Sequence, residues 1–320
     1  MTTLPPPTGG SPADTAEVAA AARPTTQAPH GGRRSAGPGQ LSDIWRRYRR
    51  NRLALLGLGI VGLLVFLAIF EPFITPFSPF EQNLLNTTAP PSARHWFGTD
   101  VLGRDMFSAI IYGAKLAVIV GLATVAMSLL IGVVFGAIAG FRGGAVDSVI
   151  MRTTDVFLAF PLLVGAILVV RTFGAGVTPV IIALALFGWT TSARLMRGQT
   201  LALRESEYVE AARSIGATDR RIISRHILPN AIAPVLVYAF TNIGVVVVAM
   251  ASLSFLGIGV PADIPEWGRL ISQSAPFFQV PGKSHLWAFP ALAICVTTLG
   301  FAFVADGLRD ALDPKLRGRG

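Results

Sequence analysis

Charge is what this sequence has least of. Only 14% of its 320 residues are Asp, Glu, Lys or Arg, against about 25% in soluble domains. Hydrophobic residues make up 52%, and the mean hydropathy is +0.58. The length would permit two soluble domains, but the apolar runs are too long for that and point to a membrane. Cysteine is nearly missing too. The single Cys295 lies inside an apolar run, excludes an intrachain disulfide, and reads as a small core residue.

Catalytic signatures are also lacking. There is no His-Glu-x-x-His and no Gly-x-Ser-x-Gly, so an intramembrane hydrolase has neither metal motif nor nucleophile. One Gly-Lys-Ser, Gly282 to Ser284, has Phe277 where a phosphate loop needs its upstream glycine. The four histidines, His30, His95, His226 and His285, are scattered and show no metal-ligand spacing. The apolar runs have no carboxylate at their centres. Asp155 and Asp306 fall only at the ends, which argues against an ion-coupled carrier and for energy supplied from elsewhere.

Six apolar runs are present, each near the roughly 20 residues that a membrane-crossing helix needs. They cover Leu53 to Phe70, Leu116 to Ala139, Val156 to Val170, Val177 to Ala193, Ala231 to Ile258 and Leu286 to Ala305. The third extends back through Met151 and carries Pro161, which is expected to kink it. The fifth exits at Gly257 and Gly259. The expected fold is an all-α membrane protein of six transmembrane helices. Residues 1–40 form a tail, 41–107 an amphipathic helix with span one and an outer loop, 108–306 the core with spans two to six, and 307–320 a second tail.

Placement of the basic residues explains the net charge of +9 without nucleic acid. Eight arginines precede span one, between Arg23 and Arg52. Seven lie between Arg194 and Arg225. Arg142 and Arg152 fall between spans two and three, and four bases lie between Arg309 and Arg319. The other side has only Arg94, Arg104, Arg171, Arg269 and Lys283, with Lys115 at the mouth of span two. Positive charge stays inside, so both termini and the Arg194 to Arg225 loop are expected in the cytoplasm. The first 40 residues, rich in Pro, Ala, Gly and Thr, have no apolar face and are expected to be disordered. No cleavage site follows the run at Leu53, so span one reads as an uncleaved anchor. In "LSDIWRRYRRNR", Leu41, Ile44, Trp45 and Tyr48 recur at helical spacing among arginines, the pattern of a helix lying on the inner membrane surface.

The segment between spans four and five, "EYVEAARSIGATDRRIISRHILPN", is charged and helix-forming. Tyr208, Ala211, Ala212 and Ile215 are expected on one face, with Glu207, Glu210 and Arg213 around the other. Gly216 is a natural helix stop, Thr218 or Asp219 caps a second short helix, and Pro229 ends the unit or opens span five. A helix-turn-helix DNA reader has this outline but needs a third helix and its own core, for which about 35 residues between two spans leave no room.

With these residues in view, the chain resembles the C-type permease of bacterial ABC importers of the dipeptide/oligopeptide/nickel branch. Glu210, Ala211, Ala212, Gly216, Leu228 and Pro229 match the EAA loop, with His226 where the pattern usually has Ile. "HWFGTDVLGRDMFSAIIYGAK", "FLAFP", "GWTTSARLMRGQ", "LSFLGIGV" and "DGLRDALDP" extend the likeness from Leu41 to Pro314. The resemblance implies a bacterial inner-membrane permease subunit, not itself an enzyme, in a peptide importer. It also implies a second six-span permease, two ABC ATPases that bind ATP and Mg, and an extracytoplasmic substrate-binding protein, with no cofactor in this chain. The EAA loop would be a cytoplasmic coupling helix between spans four and five. It would dock on the ATPase through Glu207, Tyr208, Glu210, Ala211, Ala212, Arg213, Gly216, Ala217 and Arg220. Thr241, Asn242, Gly244, Ser252 and Ser254 are pathway candidates, although small residues equally serve helix packing. In the outer loop, Asp100, Arg104 and Asp105 read as a brace or as a contact for the binding protein. The alternatives are a secondary transporter or channel, or an importer of this type carrying nickel or another small solute.

Overall fold

A computed structural model describes residues 39–312 of the chain. The expected disorder before Gly39 and the basic tail after Leu312 lie outside the described residues. Eleven α-helices follow one another: α1 Gly39–Tyr48, α2 Arg52–Ile74, α3 Met106–Arg142, α4 Gly144–Ala159, α5 Leu162–Phe173, α6 Val177–Arg204, α7 Glu207–Ser214, α8 Asp219–Ile222, α9 Leu228–Phe255, α10 Trp267–Ser274 and α11 His285–Leu312. No strand occurs among the described residues, which show only an isolated bridge between Thr99 and Asp105. The described residues from Asp43 onward belong to one compact unit.

Among the described residues, five helices are long and apolar enough to cross a membrane: α2, α3, α6, α11, and α9 with the turns that lead into it from Asp219. Large apolar side chains cover their outer faces, among them Leu63, Phe66, Ile69 and Phe73 on α2, Leu130 on α3 and Leu299 on α11. In water such a surface would drive association; in lipid it is the ordinary exterior.

The third expected span requires correction. It is not one kinked helix but two, α4 and α5, bent by 88°. Pro161 has no N–H to give and pushes the preceding residue out of the helical region. Phe160 accordingly sits at φ −85, ψ 130 and Pro161 at φ −59, ψ 126. Spans one, two, four and six are longer than expected, and the helix of the fifth, Leu228–Phe255, starts and ends three residues earlier. The second begins ten residues earlier, at Met106, and the fourth runs on to Arg204, because good helix formers continue the helix past its apolar stretch. The fifth is entered through a π turn at Ile223–Ile227, where Leu228 N–H bonds to Ile223 C=O. Pro229, in the first turn of α9, has no N–H to close a regular turn.

Two helix pairs dominate the packing. Gly132, Gly136 and Gly140 of α3 lie against the α6 backbone: a Cβ on them would fall 2.7, 2.3 and 2.8 Å from the carbonyls of Trp189, Ala193 and Arg197. This stripe of small residues lets the helices touch along their length. On α2 and α11, Gly57 faces Phe303 and Gly307 faces Ala54 and Tyr48 in the same way.

Candidate functional site

The charged segment after α6 folds as a platform at one end of the bundle. Val209 and Ala212 of α7 are buried and join Ala137, Phe141, Met196, Ile222, Ile227, Ala231 and Val235 in a small core of their own. Gly216 ends α7 at φ +80. Ala217 N–H bonds to Ala212 C=O at 3.1 Å and Gly216 N–H to Arg213 C=O at 3.0 Å, the paired bonds of a Schellman stop. Thr218 precedes α8 as its N-cap residue but makes no side-chain cap bond.

That packing sorts the sequence candidates. Glu207, Tyr208, Glu210, Ala211, Arg213, Gly216 and Arg220 are exposed, with Ile215 beside them at 85% exposure. Ala217 is half-buried against the small core, and Arg213 reaches over the Phe141 ring at 5.9 Å. Ala212 departs from the expected face. It points into the chain's own core while Tyr208, Ala211 and Ile215 point out, because Val209 and Ala212, three residues apart, form the anchoring stripe. Val209 was the residue the sequence reading overlooked.

Ion pairs tie the neighbouring helices together. Arg197 on α6 bonds both carboxylate oxygens of Asp147 on α4, at 2.5 and 2.6 Å, and Arg194 meets Asp155 at 2.5 Å. Such forked bonds fix geometry as well as charge. Lys115 meets Glu71 across α3 and α2 at 3.0 Å. This pair was legible only for its lysine, since the apolar run of span one stopped short of Glu71.

At the other end of the bundle, Arg104 is wholly buried. Its Nε donates to Asp100 at 2.6 Å, Nη1 to the Asp263 carbonyl at 3.1 Å and Nη2 to Gln273 at 3.2 Å. Asp105 caps α3, accepting from Ser108 N–H and Oγ at 2.8 Å, and pairs with His95 Nδ1 at 2.9 Å. These three residues brace the outer loop against the segment that joins α9 to α10. Glu266 is a further member that sequence reasoning missed. It is fully buried and caps α10 through Arg269 N–H at 3.1 Å, while its Oε1 has no partner. Burial raises its carboxyl pKa above the ordinary value.

The pathway candidates on α9 fall into two groups. Gly244 packs on α11, where an added Cβ would lie 3.2 Å from Thr298, and Ser254 is buried. Thr241 is exposed, and Asn242 and Ser252 are partly so. Thr241 and Ser252 hydroxyls bond back to the helix carbonyls of Val237 and Val248. The five are not brought together on one face. Among the described residues, no group of three or more His, Cys, Asp or Glu could hold a metal ion.

Comparison with known proteins agrees with this architecture. The family described as binding-protein-dependent transport system inner membrane component matches residues 132–318, and the N-terminal TM domain of oligopeptide transport permease C matches residues 39–91. The oligopeptide transport system permease protein OppC of Bacillus subtilis is 43% identical over 86% of this chain and 90% of its own length. The dipeptide permease DppC of the same organism is 40% identical over 86% of each. The glutathione permease GsiD of Escherichia coli is 43% identical over 86% of this chain and 91% of its own. A solved structure of the MetNI methionine ABC transporter, inward facing, superimposes with a TM-score of 0.51 at 18% identity, covering 65% of this chain and 98% of that one. That likeness concerns the fold.

Proposed function

Because the chain belongs to the family of binding-protein-dependent transport inner membrane components, and is a permease subunit of an ABC importer, we propose that its cargo is a short peptide. The observation that carries this reading is identity of 40–43% over 86% of the chain with oligopeptide, dipeptide and glutathione permeases. In the proposed importer this subunit forms half of the pathway with a second six-span permease. Two separate ATPase subunits bind ATP and Mg, and an extracytoplasmic protein delivers the peptide. Both termini and α7 face the cytoplasm, in keeping with the distribution of basic residues.

The exposed strip of α7, with Glu207, Tyr208, Glu210, Ala211 and Arg213, ending at Gly216, is the proposed docking surface for an ATPase. ATP binding to the docked ATPase favours one permease conformation only through contacts that differ between the two states. The charged strip supplies such contacts, and the small core beneath it passes the movement to α3, α6 and α9. The test is uptake into proteoliposomes holding the complete importer and its binding protein. Labelled di- or tripeptide should accumulate only with ATP and magnesium. Uptake by this chain without an ATPase would instead indicate a secondary transporter or channel, and ATP-driven nickel uptake that peptides fail to inhibit would indicate a metal importer.

A further inference from the structure

The corner between α1 and α2 is basic, rigid and set at the edge of the lipid-facing surface. Tyr48 is buried there: its hydroxyl donates to the Ala54 carbonyl at 3.1 Å and its ring lies against Gly307 of α11. Asn51 caps α2 by accepting from Leu53 and Ala54 N–H, and its amide donates to Asp310 at 3.0 Å. Trp45 stacks on Tyr48, with centroids 6.0 Å apart and planes 7° apart, yet is half exposed. The helical bond from Arg49 N–H to Trp45 C=O, at 3.0 Å, carries α1 into the corner. Arg49 and Arg50 follow Tyr48 in the exposed turn that ends α1, about one turn after Arg46.

Arg49, Arg50 and Arg52 are exposed and make no side-chain bond to the described protein. The acids nearby are Asp310, bonded to Asn51, and Asp306, both exposed on α11. The exposed apolar surface begins at once with Leu53, Leu55 and Leu56. Arginines within one turn of that edge lie at the level of lipid headgroups, where tryptophan also prefers to sit.

We infer that Trp45, Arg49, Arg50 and Arg52 form a seat for the phosphate of anionic phospholipids. Guanidinium forks match phosphate oxygens in pairs. The hydrogen-bonded corner holds the backbone of all three in place, so little backbone freedom is lost on contact. The seat fixes the start of α2, and through Tyr48 and Asn51 the end of α11, relative to the headgroup layer. The inference needs only the membrane location of the chain and is independent of what the importer carries.

The experiment measures retained lipid. The importer complex is equilibrated with mixed phosphatidylglycerol and phosphatidylcholine in detergent, and the bound lipids are counted by native mass spectrometry. The wild type should retain phosphatidylglycerol in preference, and the preference should fall as ionic strength rises. The R49Q/R50Q/R52Q variant should lose at least about fivefold of that preference, the effect of one such charge near an anionic surface. The R49K/R50K/R52K variant, which keeps the charge and loses the forks, should fall between the wild type and the glutamine variant. A wild-type preference that is absent or independent of salt would overturn the inference whether or not any variant assembles. So would an unchanged lipid ratio in the glutamine variant. If that variant lost its ATPase subunits with its lipid ratio unchanged, the seat would belong to a protein surface instead.

Discussion

Gly216→Val isolates the proposed coupling surface from the rest of the fold. Gly216 sits at φ +80 and is exposed, and a Cβ placed on it meets no atom within 4 Å. Steric contact with neighbours therefore contributes nothing, and the effect comes from the backbone alone. A left-handed conformation costs a residue with a Cβ about 1–2 kcal/mol, and a β-branched side chain falls at or beyond the upper end. About 2 kcal/mol shifts a local equilibrium roughly thirtyfold. The Schellman bonds from Ala217 and Gly216 then give way to other turn geometries, and α7 loses its fixed end. Gly216→Ala should show the milder form. The assay is peptide-stimulated ATP hydrolysis by the reconstituted importer, with hydrogen exchange over residues 207–217 as a local readout. Gly144→Val is the control, since Gly144 has φ +55 and equally open space at the turn between α3 and α4. We expect Gly216→Val to insert normally, exchange faster over α7 and lose stimulation, and Gly144→Val to keep it. Full stimulation and uptake in Gly216→Val would refute the coupling role of this loop.

Three further outcomes are expected. Arg104→Met leaves Asp100 buried without its charge partner and should lower stability by about 3–5 kcal/mol, read as a fall in thermal midpoint that Asp100→Asn partly restores in the double variant. Gly244→Leu should disrupt the contact of α9 with Thr298 and reduce recovery of folded protein, whereas Ser252→Leu, on a partly exposed face, should leave the thermal midpoint unchanged and slow uptake; equal loss of folded protein in both would refute the division of α9 into two faces. Because burial raises the pKa of Glu266, the folded protein binds the proton more tightly than the unfolded chain, so this group's stabilisation is present below the ordinary glutamate pKa and lost as pH rises through the raised value; the midpoint of Glu266→Gln should vary less with pH over that window, and parallel curves would contradict this.

Much of the helical plan was legible because lipid imposes a crude rule: long apolar runs and few charges. The rule sees side-chain polarity and not backbone direction, so it found the third run, and proline marked a kink at Pro161, but neither gave the 88° that separates two helices. It also ended spans where polarity returned, although α6 continues to Arg204. The turn at Gly216 was legible because glycine there has a single backbone use. The buried anchor of α7 was not, since Val209 is one residue among four plausible apolar positions and only the contacts with Phe141 and Ile222 select it. Arg104 and Glu266 show a different limit. Two partners of Arg104, Asp263 and Gln273, lie 159 and 169 residues away, and spacing along a chain carries no information about such pairings; Glu266 bonds only three residues ahead, to Arg269 N–H, but its burial comes from packing that spacing does not show.

The position of α9 gives the proposed coupling a physical route. Its entry shares the small core with α7, through Ala231 and Val235 packed near Val209 and Ala212. Its other end is held by the outer brace: Gly268 of α10 lies against the Ala251 backbone, and Ser272 Oγ donates to the Phe255 carbonyl at 2.7 Å. At 28 residues, α9 is about 42 Å long, so it reaches from the platform to the braced loop, as α3 does from Asp105 to Phe141. A helix held at both ends transmits a push along its axis only if it stays regular. Two places within this route are irregular. The π turn at Ile223–Ile227 leads into α9, and Pro234 lies within its first two turns, where the missing N–H weakens the ladder. Both are at the platform end. On this proposal, movement of α7 would be taken up first as a change in the angle at which α9 leaves the platform, while the part from Val235 to Phe255 would move as one rod against α11 and α10. The proposed switch is thus a tilt of α9 about its outer end, where Arg104 and Glu266 fix the surrounding loop, and stiffening the π turn should impair coupling without touching the docking face.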